Sequence, residues 1–79
     1  STNAPAEKDP TYPASTIAVV CDGGKIVVNV SEAQTITVID ELGAEMDKWD
    51  AEPGTPHELN LTPGNYTLAS QKEKISLKL

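Results

Sequence analysis

The chain has no arginine and no phenylalanine, one cysteine, one histidine and no long apolar run. Each absence removes a class. Six lysines stand against twelve acids, for a formal charge of −6. That leaves no basic footprint for a phosphate backbone and no guanidinium fork for a base edge. Nucleic acid is therefore not an expected partner, and the same sign disfavours an anionic membrane surface. The longest unbroken apolar stretch, Ile17-Ala18-Val19-Val20-Cys21, falls far short of the roughly 20 residues that span a bilayer. No membrane insertion is expected. A single cysteine allows no intrachain disulfide. Cys21 shares strand parity with Ile17 and Val19, which predicts a buried small hydrophobe. A reactive thiol would need a cationic neighbour to lower its pKa.

Length sets the next limit. Seventy-nine residues make one small domain, and a domain of about this size buries only about 60% of its unfolded surface. That is too little protein to wall off a deep, dry active site of several hundred Å³. A non-enzymatic role is expected on this ground alone.

What is present alternates with a period of two from Ser15 onward. Thr16 to Cys21 places Ile17, Val19 and Cys21 on one face, and Asp22-Gly23-Gly24 supplies the backbone freedom of a tight hairpin. Lys25 to Val30 returns with Ile26, Val28 and Val30 together. Ser31-Glu32-Ala33-Gln34 breaks the pattern. Thr35 to Asp40 points Ile36 and Val38 inward, and Glu41-Leu42-Gly43 turns the chain. Ala44 to Trp49 alternates weakly and is read as an edge strand guarded by its charges. A loop rich in proline and glycine follows from Asp50 to Pro56. His57 to Leu61 faces in through Leu59 and Leu61, Asn65 to Ser70 through Tyr66 and Leu68, and Ile75 to Leu79 closes the pattern. No window shows a helical stripe. Seven short strands divided by turn residues predict an all-β fold: a seven-stranded antiparallel immunoglobulin-like β-sandwich over residues 15–79. Residues 1–14, with three prolines and no apolar period, are read as a flexible arm that follows a removed signal peptide.

Tyr66 stands at the start of the penultimate strand, just after the Thr62-Pro63-Gly64 turn. That is the position of a tyrosine corner, whose hydroxyl is expected to satisfy backbone near Leu61 to Pro63. The run Ile36-Thr37-Val38-Ile39-Asp40-Glu41-Leu42-Gly43, followed by Leu59-Asn60-Leu61-Thr62-Pro63-Gly64-Asn65-Tyr66-Thr67-Leu68, resembles a broad group of small immunoglobulin-like domains of Bacteroidetes. That group includes secreted families of unknown function and is similar to the C-terminal sorting domains of type IX secretion cargo. The resemblance covers residues 15–79. It implies a protein that is secreted, periplasmic or held at the cell surface and serves as a binding or structural accessory module. The alternative is a secretion-sorting or surface-attachment domain.

Chemical motifs are sparse. His57-Glu58-Leu59-Asn60-Leu61 begins like a zinc-protease helix, but Leu61 occupies the position of the second histidine. Asp22-Gly23-Gly24-Lys25 lacks the spacing and the following helix of a phosphate loop. One histidine and scattered serines define no triad. Asp47, Asp50 and Glu52 offer carboxylates, but without the register that a calcium loop imposes. Three Asn-x-Ser/Thr triplets, at Asn29, Asn60 and Asn65, are explained by strand ends and turns. The sequence thus yields no catalytic, cofactor-binding or metal-ligating set. Charge is uneven, however. Asp40, Glu41, Glu45, Asp47, Asp50 and Glu52 gather around Lys48 alone, whereas Lys72, Lys74 and Lys78 gather around Glu73. These are read first as solvated faces and second as surfaces for a protein or cell-surface partner. The chain is expected to be monomeric or only weakly associated.

Overall fold

The computed structural model describes residues 15–22 and 25–79. The expected arm over residues 1–14 and the Gly23-Gly24 turn lie outside the described residues. Seven strands follow in chain order: β1 (Ile17–Asp22), β2 (Lys25–Val30), β3 (Gln34–Asp40), β4 (Glu45–Ala51), β5 (His57–Asn60), β6 (Asn65–Ala69) and β7 (Lys74–Lys78). All pairings are antiparallel, and no helix occurs among the described residues.

Two sheets form, ordered β1-β2-β5 and β4-β3-β6-β7. The chain crosses between sheets after β2, after β4 and after β5, which is the Greek-key course of an immunoglobulin-like sandwich, with the fourth strand beside the third. β-branched residues explain the strands: their side chains pack well on a pleated surface and stiffen it. Period two then puts one row of each strand into the core. Ile17, Ile26, Val28, Val30 and Leu59 from the first sheet meet Ile36, Val38, Ala51, Tyr66, Leu68 and Leu77 from the second. Ile36, Val38 and Leu68 are fully enclosed.

The turns follow from local hydrogen bonding. The Asp40 carboxylate accepts from the backbone N–H of Leu42 at 2.9 Å and of Ala44 at 2.8 Å, and Gly43 takes the positive φ of 87° that a side chain would resist. Beyond it, the register slips between Val38 and Ile39, so that Asp47 pairs with Val38 and Glu45 with Ile39, with Met46 bulged between them. At the next corner, the Tyr66 hydroxyl donates to the Thr62 carbonyl at 2.7 Å and sits 3.2 Å from Thr62 Oγ1. The tyrosine corner is formed as expected.

Several strand ends shift by a residue from the sequence reading, and three differences in boundary or burial carry a structural cause. β4 continues through Asp50 to Ala51, because Ala51 packs into the core opposite Gln34. β3 begins at Gln34, which is buried: its Nε2 donates to Thr16 Oγ1 at 2.9 Å and to the Glu32 carbonyl at 3.1 Å. Cys21 is exposed rather than buried. It keeps the parity of Ile17, but it stands near the end of an edge strand, where no facing strand covers it.

Candidate functional site

Two places on the sandwich bring polar or reactive side chains together, and both lie where edge strands of the two sheets face one another. The first is the side of β4 and β5. β5 is the edge of the three-stranded sheet and β4 an edge of the four-stranded one. Asp47, Trp49 and Ala51 share the parity of the inward row of β4. Across the gap, the His57 ring stacks on Trp49 with centroids 3.7 Å apart and planes 11° from parallel. His57 Nε2 also lies 2.9 Å from Asp47 Oδ2. This bond is the first cause that holds the Asp47 carboxyl below its ordinary range; the backbone N–H of Lys48 and the charge of His57 add to it, and burial opposes them. The Trp49 indole nitrogen is buried without a hydrogen-bond partner among the described residues. The arrangement is a clasp: an aromatic pair and one polar contact shut the side of the sandwich that no backbone hydrogen bond crosses.

The second place is the side of β1 and β7. At one end, Glu73 accepts from the Ser15 hydroxyl at 2.7 Å, the Thr16 backbone N–H at 2.9 Å and the Thr16 hydroxyl at 2.7 Å. These bonds, the Ser15 hydroxyl first, hold the Glu73 carboxyl below its ordinary range. Through Thr16 they also reach Gln34 at the start of β3. At the opposite end of β1, the two sheets part around an open-sided apolar cleft of about 380 Å³, lined by Cys21, Ile26, Leu61, Pro63, Lys78 and Leu79. That volume sits at the low end of small-ligand sites, which run to about 1,000 Å³. It is room for a small apolar group.

β1 presents its backbone as well. Thr16 and Ser31 are hydrogen-bonded, with Ser31 N donating to Thr16 O at 2.9 Å. Bonded and non-bonded pairs alternate along an antiparallel ladder, so Ile17, Val19 and Cys21 turn their N–H and C=O groups away from β2. The Ser15 hydroxyl engages both groups of Ile17, at 3.2 and 3.0 Å, which leaves Val19 and Cys21 as the presented edge. Ala18 and Val20, on the outer face of the same strand, are exposed. The edge is short, uncharged between Ile17 and Cys21, and adjacent to the cleft.

The sequence reading placed the acidic run correctly as an edge strand but did not bring Asp47, Trp49 and His57 together. The signal that could have done so is the common parity of Asp47, Trp49 and Ala51. Asp50 points outward to Thr35, whose hydroxyl donates to it at 2.9 Å, and Glu52 lies in the following turn. The three carboxylates considered for a cation therefore do not converge. Among the described residues, no group of three or more His, Cys, Asp or Glu side chains is placed to hold a metal ion, and no helix is long and apolar enough to cross a membrane. No protein-family model, curated protein or solved structure matches the chain.

Proposed function

We propose that this chain is a non-enzymatic immunoglobulin-like module, exported by a bacterium, that works by binding or as a structural accessory to a protein or cell-surface partner. The observation that carries the reading is how the chain uses its polar chemistry. His57 is engaged between Trp49 and Asp47, and Glu73 is engaged by Ser15 and Thr16. These groups close the two sides of the sandwich. Left open beside them is an uncharged edge strand next to an apolar cleft. An extended partner segment that adds to a sheet edge gains main-chain hydrogen bonds, and a neighbouring pocket selects its side chain. Export is supported by the resemblance of Ile36–Gly43 and Leu59–Leu68 to small secreted immunoglobulin-like domains.

Fractionation of cells producing the natural precursor, followed with an antibody to residues 15–79, tests the reading. Recovery from the periplasm, cell surface or medium is expected; recovery from the cytosol alone overturns it. Fusing residues 15–79 behind a reporter separates the sorting alternative. A reporter carried to the cell surface by this segment favours sorting, whereas one left behind favours the free-standing module.

A further inference from the structure

The two edges of the four-stranded sheet carry opposite charge. β4 presents Glu45, Lys48 and Asp50 on the outer face, and β7 presents Lys74, Ser76 and Lys78 on that same face. Lys74, Lys78, Glu45 and Asp50 make no ion pair among the described residues. We propose that the β7 edge of one copy pairs with the β4 edge of a second copy, so that the sheet continues head to tail from molecule to molecule.

Backbone geometry agrees with charge. Gly64 and Leu79 exchange both hydrogen bonds, at 3.2 and 2.9 Å; alternation then turns the N–H and C=O groups of Lys74, Ser76 and Lys78 away from β6. The same alternation, carried through β6 and β3, commits Asp47 and Trp49 to β3 and leaves those of Lys48 and Asp50 free. Four antiparallel strands make the two edges run in opposite directions. A second copy in the same orientation, displaced along the sheet, therefore offers β4 antiparallel to β7. Pairing Lys74 with Asp50 sets Ser76 against Lys48 and brings Lys78 to the Glu45–Met46 bulge. Cations meet carboxylates, and the one lysine of β4 meets a hydroxyl. Self-pairing of β4 about Trp49 can set Lys48 against Asp50, but it closes at two copies and leaves the β7 lysines unused, whereas β7 against β7 about Ser76 sets Lys74 opposite Lys78. Like charges directly opposite destabilise a ladder. The three-stranded sheet is one strand narrower, so the second layer does not collide. Each copy adds about 19 Å along the sheet, from a strand spacing of about 4.8 Å, and the native twist turns the growing ribbon.

The proposal is independent of export: a monomeric protein found outside the cell would remove this inference and leave the other standing. The test is sedimentation equilibrium of the full chain at increasing concentration. At low salt the average mass is expected to climb past that of a dimer without a plateau, and to fall back to the monomer in about 1 M salt, where the screening length is about 3 Å. K74E/K78E and E45K/D50K, each checked for native circular dichroism, are expected to be monomeric alone and to associate when mixed, because the acidic β7 of one then meets the basic β4 of the other. A wild-type chain that stays monomeric at its solubility limit overturns the proposal. So does a mass that levels off at two copies, or association that neither salt nor the charge changes alter.

Discussion

His57 Nε2 lies 2.9 Å from Asp47 Oδ2, and that contact joins the edge strand of one sheet to the edge strand of the other. The His57 ring also covers Trp49, so one residue supplies both the polar and the aromatic half of the closure. Removing it opens one whole side of the sandwich while leaving both ladders intact.

His57→Ala is expected to cost about 1 kcal/mol, the scale of an aromatic pair beyond its buried area. For a domain of this length that lowers Tm by about 4–8 °C. Trp49 is the only tryptophan, and its emission should shift to the red in the folded variant. An unmoved emission maximum would show that the stack does not shield the indole.

Acid should weaken the fold in a defined window. The Asp47 and Glu73 carboxyls are both held below their ordinary range, by the His57 bond and by the Ser15 and Thr16 bonds respectively. A carboxyl depressed in the folded state contributes stability that is present above its unfolded value and is lost as pH falls through the folded one. Melting temperature is therefore expected to hold near neutrality and to fall below the ordinary carboxylate range. Glu73→Gln should be less stable than wild type near pH 7 and converge with it in acid. Parallel curves at all pH values would remove Glu73 from the linkage.

Tyr66→Phe deletes the bond to the Thr62 carbonyl while keeping the ring in the core. The expected loss is about 1 kcal/mol in a urea melt, the net worth of an intramolecular hydrogen bond. Thr67→Val, one residue along and outside the corner, should change stability by no more than about 0.5 kcal/mol. Equal losses would mean that the corner holds nothing.

The Cys21 thiol, exposed at the mouth of the cleft, should react with a small disulfide reagent in the native protein without prior unfolding. Cys21→Ser should leave stability within about 0.5 kcal/mol. Protection of the thiol until denaturant is added would return Cys21 to the core.

Leu68 is fully buried between the sheets. Leu68→Ala is expected to cost about 2–5 kcal/mol, against a total of about 4–12 kcal/mol for a chain this long. The variant should be largely unfolded at moderate temperature, with an early, broad transition by circular dichroism.

Alternation made the strands legible. Ile26-Val27-Val28 and Ile36-Thr37-Val38 leave little choice of period, and a one-residue slip would turn Ile36 and Val38 to solvent. The tyrosine corner was legible because its turn and ring are close in sequence. Gln34 was hidden by its polarity, although it has the parity of Ile36; its amide nitrogen is received by Thr16 and Glu32, while its Oε1 is buried without a hydrogen-bond partner among the described residues. Cys21 shows the converse. Parity fixes the face of a residue but not whether a second sheet extends over it. The Asp47–Trp49–His57 clasp depends on how two edges in different sheets line up, which no local pattern encodes.

The course of β1 and β7 has a mechanical consequence. The residues just before them, Thr16 and Glu73, meet, and their far ends meet around the cleft at Cys21 and Lys78. The two strands thus run in the same direction, and the folded domain receives its chain at one end and releases it at the other. Tension applied through Ser15 and Leu79 would pull β1 lengthwise against β2, and β7 lengthwise against β6. Ladder hydrogen bonds stand perpendicular to the strands, so such a pull loads them together in shear instead of peeling them one at a time. Rupture under force is governed by the rate of unfolding and not by equilibrium stability. Under such a pull the resistance of this domain is set by how fast its two outer ladders shear together.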